Sequence, residues 1–342
     1  MGKEITFKFE PDYAKFVNVN RWFSYEDIHW HFIVGGRGIG KTTGMNFHNV
    51  GDFIKRGNEF VYCRRYITEL KKAKSMLPAI VNNCKCNGLG HGLMQWSVNK
   101  VRIGYGVALT AQQTVKSGVD FSKCNTLVYD EAILPTGGSY RYLSNEVEML
   151  FELVSTVFRN RKDYHVFVLG NNADIFNPYF AYFKIPKFDS IFIDKKRGIH
   201  CELCKNSPAL MEEEKETPLY KLTQGTGYGE YHYNNQTLIS NDVKYGVKSP
   251  RAMLAFRLVY NGYTVNFYRE KWNLWFAELR DKAIADDKAY ILMENDKPNY
   301  LYIQKLREDG AGKLLNTCYY NKYIEYDTAL CAAIFDLIME CA

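Results

Sequence analysis

An α/β fold, a parallel sheet flanked by helices, is predicted for the first two hundred residues by three observations. Short apolar runs rich in Val, Ile, Tyr and Phe alternate with stretches of helical period. A glycine-rich turn, Gly35-Gly36-Arg37-Gly38-Ile39-Gly40-Lys41-Thr42, lies between the first run and the first helix. A later run ends on two consecutive acids, Asp130-Glu131. Strand, helix, strand at these lengths requires parallel pairing, with the crossovers lying on the sheet faces.

In chain order, the strand-like runs are HFIV (31–34), EFVYC (59–63), NTLVYD (125–130) and YHVFVLG (164–170). Helical period marks 42–56, 68–81 and 145–160. WSVNKVRIGYG, within 93–110, is expected as a small antiparallel insertion turning at Asn99-Lys100. The acidic MEEEKETP run (211–218) and the glycine-rich stretch after it break the pattern and mark a linker over 208–244. From 245 to 342, strand-like runs and a helical tail predict a small α+β domain.

Composition narrows the function. The 342 residues are 46% hydrophobic and 24% charged, enough apolar surface for a core. No apolar run approaches about 18 residues, so no membrane-spanning helix and no membrane partner are expected. The opening MGKEITFKFEPD lacks the apolar stretch of a secretory signal. Nine cysteines, an odd number, suggest a reducing compartment. The net charge of +6 is uneven. Residues 1–205 carry 28 Lys/Arg against 19 Asp/Glu, or +9, and 206–342 carry 16 against 19, or −3. The basic half suits a polyanion, either nucleotide or nucleic acid.

The turn at 35–42 fits GxxxxGK[ST] in the context that pattern needs, after a strand and before a helix. Glycines let backbone N–H groups face phosphate oxygens, and the helix N-terminus adds positive potential. ATP and Mg²⁺ are the expected cofactors. The loop residues Gly35 to Thr42 and the following Thr43 would hold ATP, with Lys41 on the β- and γ-phosphates. Thr42 and Asp130 would ligate Mg²⁺, and Glu131 would polarise the attacking water as general base. Asn171, directly after the 164–170 strand, is placed to sense the γ-phosphate or to form an Asx turn. Arg159, in VFRNR (157–161), either complements a helix C-terminus or reaches a neighbour's γ-phosphate. His200, Cys201 and Cys204, with Cys84, Cys86 and His91, have zinc-ligand chemistry but not finger spacing. Reduced, partly buried thiols are the preferred reading.

GGRGIGKT (35–42), FVYCRRY (60–66), VKSG (115–118), TLVYDE (126–131), TVFRNR (156–161), NPYF (177–180), GTGYGE (225–230) and VYNG (259–262) follow one another in this order. Together they resemble the DNA-encapsidation ATPases of small phi-29-like podophages, compact relatives of the large terminases. The resemblance implies an ASCE P-loop ATPase domain over 1–207 and a vestigial RNase H-like, RNA- or DNA-binding domain over 245–342. It implies a homopentameric ring at the portal vertex of an empty procapsid, pumping double-stranded DNA inward in the host cytoplasm and absent from the mature virion. Portal protein and a packaging RNA would be its partners. Arg37 matches the Walker A arginine of terminase-type motors, Arg159 a trans-acting finger, and Lys116 a basic residue at the same subunit interface. Arg64 and Arg65 match an arginine pair beside the nucleotide. The acid cluster of a terminase nuclease is missing, with only Asp327 at a plausible position, so no nuclease activity is expected. The alternatives are another ASCE motor, such as a helicase or partition ATPase, and a nucleotide-switched protein that docks capsid or RNA without turnover.

Overall fold

The computed structural model describes residues 5–341 apart from 116–117, 135–141, 144, 172–176, 184, 186–187, 189, 225, 227–243, 261, 271–273, 292–300, 303–314, 316 and 320–322. The chain forms two compact units, residues 1–174 with 187–238, and residues 175–186 with 239–342.

The first unit holds a nine-stranded sheet. Its strands are β1 (Trp30–Gly35), β2 (Glu59–Arg64), β3 (Cys84–Gly90), β4 (Leu93–Val98), β5 (Val101–Ala108), β6 (Cys124–Ile133), β7 (His165–Gly170), β8 (Ile191–Asp194) and β9 (Ile199–Cys204). They lie in the order β3-β4-β5-β2-β6-β7-β1-β9-β8. From β5 to β9 every neighbour is parallel. All six residues of β1 are buried, as parallel strands covered on both faces require. β7 separates β1 from β6, the extra-strand order of an ASCE sheet, and the parallel strands' C-terminal ends share one edge.

Helix α1 (Lys41–Arg56) follows the glycine turn and stops at Gly57, whose left-handed backbone lets its N–H reach Phe53 O at 2.8 Å. The expected helix at 68–81 is broken into α2 (Ile67–Lys72), a 3₁₀ turn (Ala73–Ser75) and α3 (Met76–Ile80). Pro78 is the cause. It has no N–H to give to the Lys74 carbonyl, which accepts from Trp96 Nε1 at 3.2 Å instead. Helix α4 (Glu146–Phe158) buries Val147, Leu150, Val154, Val157 and Phe158 on one stripe.

The 93–110 stretch turns at Asn99 and Lys100, both at positive φ, as a tight hairpin requires. It is not an insertion, because β5 pairs in parallel with β2 and extends the sheet. β8 and β9 were not expected. β9 lies beside β1, so the Cys201–Cys204 and Cys84–Cys86 pairs sit towards opposite edges of the sheet. Residues 208–223, expected as linker, form helices α6 (Pro208–Lys215) and α7 (Pro218–Thr223). Leu210 of α6 is packed into the first unit's core.

The second unit carries the short helix α5 (Pro178–Tyr182), strands β10 (Lys244–Tyr245), β11 (Met253–Tyr260), β12 (Tyr263–Arg269), β13 (Trp275–Arg280), β14 (Ala289–Ile291), β15 (Leu301–Tyr302) and β16 (Ile324–Tyr326), and helix α8 (Ala329–Cys341). The order is β10-β16-β13-β12-β11-β14-β15. β11, β12 and β13 form an antiparallel meander, and β14 and β15 follow in parallel. This is the strand order of an RNase H-like sheet. Phe267 packs on Phe256 and Phe335, with centroids 5.0 and 4.7 Å apart.

Two buried polar groups brace the first unit. Arg65 donates to both Glu146 oxygens at 2.6 and 2.8 Å and to Ala132 O at 2.6 Å. Tyr129 OH donates to the same carboxylate at 2.8 Å. Both charged side chains are 1% exposed. Arg65, expected beside the nucleotide, instead joins β2 to the end of β6 and the start of α4. Arg65 lies just past the end of β2, in a bend, and its guanidinium is buried, whereas that of Arg64 reaches Asp130 and Glu131. Glu146→Ala removes the carboxylate that balances a buried guanidinium and is expected to cost about 3–5 kcal/mol in denaturant unfolding.

The second group is a set of histidines near the start of β1. His31 Nε2 lies 3.1 Å from His165 Nδ1, and His31 Nδ1 lies 3.3 Å from His200 Nδ1. Burial lowers His165 to about 4, helped by the neighbouring His29, and lowers His48 to about 4 as well. Below the free-imidazole value near 6.5, the unfolded chain takes protons that the folded chain refuses. Stability is therefore fully present above about pH 6.5 and falls as pH drops toward 4. Melting temperatures across that range should show this acid limb, and His165→Asn should make it shallower.

Candidate functional site

The site lies at the sheet edge where β1, β6 and β7 end. The loop after β1 has Gly38 and Gly40 at φ 80° and 87°, a left-handed conformation that glycine adopts without cost. A Cβ on Gly40 would also lie 2.9 Å from Phe16 Cβ. Lys41 is buried and donates to the carbonyls of Gly35 and Gly36, both at 2.8 Å. Burial lowers its pKa to about 8, Cys204 and Asp130 oppose the shift, and Arg37 adds to it. Arg37 itself is exposed at the loop tip.

Asp130 collects three side-chain donors from two elements. Thr42 Oγ1, at the start of α1, is 3.0 Å from each carboxylate oxygen. Tyr62 OH, on β2, donates at 2.7 Å, and Arg64 Nη1 at 3.3 Å. Arg64 Nη2 also pairs with Glu131. Burial alone would weaken the Arg64 charge, but Tyr62, Asp130 and Glu131 raise its pKa above the ordinary arginine value.

The two acids reach the same cavity because β6 bulges. Tyr129 pairs with Val168 and Ile133 with Gly170, so β6 takes four residues where β7 takes two. Glu131 sits within the bulge at φ 53°, and its own N–H donates to Asp130 Oδ1 at 3.1 Å. A bulge re-aims side chains in this way. The Glu131 side chain is 55% exposed.

A cavity of about 330 Å³ opens beside these groups. One wall is Gly38, Ile39, Gly40, Lys41, Thr42 and Thr43, and Asp130, Glu131, Gly170 and Asn171 line its end. The other wall is residues 9–13 with Phe16 and Val17, and Phe47 of α1. Sequence reading missed this second wall and Tyr62. Tyr62 could have been found, since it stands two residues before Arg64 on a strand and shares its face. The aromatic wall carries no motif.

Arg159 and Arg161 at the end of α4 have different fates. The Arg161 guanidinium binds carbonyls of Phe121, Ser122, Cys124, Val157 and Phe158 at 2.5–3.2 Å. Arg159 is exposed, at φ 51°, and its side chain has no hydrogen bond or ion pair among the described residues. Lys116 lies outside the described residues.

Residues 11–340 match the family model of the Podovirus DNA encapsidation protein (Gp16). The DNA packaging protein of Bacillus phage phi29 is 26% identical over 320 residues, 92% of this chain and 94% of that protein. That of Bacillus phage B103 is 28% identical over 313 residues, 91% and 96% of the respective chains. A chain of the bacteriophage Phi-29 viral genome packaging motor assembly superposes with a TM-score of 0.65 at 25% identity, over 96% of this chain and 99% of that one. A match across nearly the whole chain, which includes the phosphate-loop lysine, the acid pair and the exposed Arg159, places this protein in the podovirus DNA encapsidation family.

Proposed function

We propose that this chain is an ATP-driven double-stranded DNA translocase that packages a phage genome into an empty procapsid through the portal vertex. The observation that carries the reading is the convergence of Thr42, Tyr62 and Arg64 on Asp130, beside Lys41 and an open cavity, in a member of the encapsidation family.

The residues fit ATP. Backbone N–H groups of the glycine turn face its phosphates, and Lys41 exchanges two carbonyl partners for phosphate oxygens. A polyphosphate supplies the counter-charge that burial withholds from Lys41. Thr42 and Asp130 would hold Mg²⁺, which neutralises charge on the phosphate oxygens. Glu131 takes the proton of the attacking water. Paired with Arg64, it is held back from that role, so hydrolysis requires the pair to part.

Arg159 acts on a neighbouring subunit. α4 carries the chain back about 20 Å from Glu146, and Arg161 fastens its end to the Cys124 carbonyl at the start of β6. Glu131 lies about five regular strand positions further along that strand, about 17 Å away. The finger therefore has no path to its own chain's phosphates. Lys116 is assigned to the same interface on resemblance alone.

A homopentameric ring, a packaging RNA and the portal protein complete the proposed assembly, which works in the host cytoplasm. The +9 charge of residues 1–205 suits phosphate-directed, sequence-blind DNA contact. The second domain is proposed to bind nucleic acid without cutting it. Asp327 is committed elsewhere, accepting from Leu279 N at 2.9 Å and from Thr328 Oγ1 at 3.0 Å.

Lys41→Ala should abolish ATPase and packaging. Glu131→Gln should still bind ATP but turn over about 10²–10⁴-fold more slowly. Near-normal turnover would remove Glu131 from the base role. Arg159→Ala should lose about 10³-fold or more in ATPase rate. Mixing Arg159→Ala with Glu131→Gln subunits should restore part of that activity, because some interfaces then join an intact Arg159 to an intact Glu131. Full activity of Arg159→Ala alone would refute the trans finger.

A further inference from the structure

We propose that Ser207 and Glu213, outside the cavity, position the wall that faces the glycine loop and so set nucleotide affinity. This rests on the nucleotide reading above. The wall precedes the first strand and is not part of the sheet. It turns at Asp12, whose carbonyl accepts from Phe16 N at 2.8 Å and whose side chain accepts from Ala14 N at 3.0 Å. Val17 N then donates to Ile39 O at 3.0 Å, joining the wall to the loop. Phe9 and Tyr13 remain 51% and 38% exposed, and both line the cavity. Large aromatic faces left open beside a phosphate loop suit a base or ribose.

On its outer side the wall is pinned to α6. Ser207 Oγ donates to Lys15 O at 2.7 Å and accepts from Leu210 N at 3.1 Å. One hydroxyl therefore caps the helix and holds the wall. Lys15 Nζ pairs with Glu213 and lies 5.3 Å from the Phe16 ring centroid. Leu210, 7% exposed in the core, fixes α6 itself. Neither Ser207 nor Glu213 lines the cavity. They act through Lys15 on Phe16 and Tyr13, and are positioning residues. Loosening the pin lets the aromatic wall move away from the loop while Lys41, Asp130 and Glu131 stay in place. Affinity then falls and chemistry does not.

The test is ATPase kinetics of the full chain with direct ATPγS binding. Ser207→Ala should raise KM for ATP and the ATPγS dissociation constant about 3- to 10-fold, with kcat within about twofold. Glu213→Lys should raise KM about two- to fivefold by placing two cations together. Lys15→Glu combined with Glu213→Lys should recover the wild-type value, which a merely structural loss would not. An unchanged KM in Ser207→Ala and in Glu213→Lys, with wild-type ATPγS binding intact, overturns this inference alone. A fall in kcat at constant KM also overturns it. Wild-type protein that binds no ATPγS overturns the nucleotide reading together with this inference.

Discussion

The site depends on how β6 ends. A regular strand would send Asp130 and Glu131 to opposite faces of the sheet, and only one could meet the glycine loop. The bulge between Tyr129 and Ile133 removes that restriction. It needs Gly170 opposite, where a Cβ would come within 2.7 Å of Ile133 Cβ. It also needs something to hold the irregular backbone. Arg65 does this by binding Ala132 O and Glu146 together. Local strain at Glu131 is thus held by a buried ion pair one layer behind it.

Charge is arranged asymmetrically around that bulge. Asp130 has three side-chain donors and little exposure, while the Glu131 side chain has one partner among the described residues and stands half in solvent. Adjacent carboxylates therefore do different work. The well-bonded one is fixed, as the proposed Mg²⁺ ligand would need to be, and the other stands more open to a change of partner. Arg64 touches both, so its position depends on the state of each.

Much of this was legible in the sequence. Central strands covered on both faces leave continuous apolar runs, so β1, β2 and β7 could be placed within a residue; β6 runs three residues past the expected end, through its bulge. The glycine turn and the acid pair carry their chemistry in residue types. Edge strands were harder. β8, at the edge, has only four residues, and β9 inside it pairs with β1, about 170 residues away. The split of 68–81 was readable from Pro78, and the helical period outweighed it. Arg64 and Arg65 were grouped by resemblance, and they part because β2 ends between them. The wall at 9–17 follows no period, because its form is set by a loop and by α6.

Helix α4 has one end clamped by Arg65 beside the acid pair and the other fastened by Arg161 at the foot of the same strand. It is a stiff rod braced at both ends, with Arg159 just past its tip. In the proposed ring, the rod's head would rest beside one subunit's acid pair and its foot would reach the next subunit's phosphates. A small displacement of the β6 bulge would be carried along it with little loss. Such a connection is directional. Each subunit of the proposed ring would report its own state to only one neighbour, and a closed ring of these rods would give firing a sense of rotation without a separate timing element.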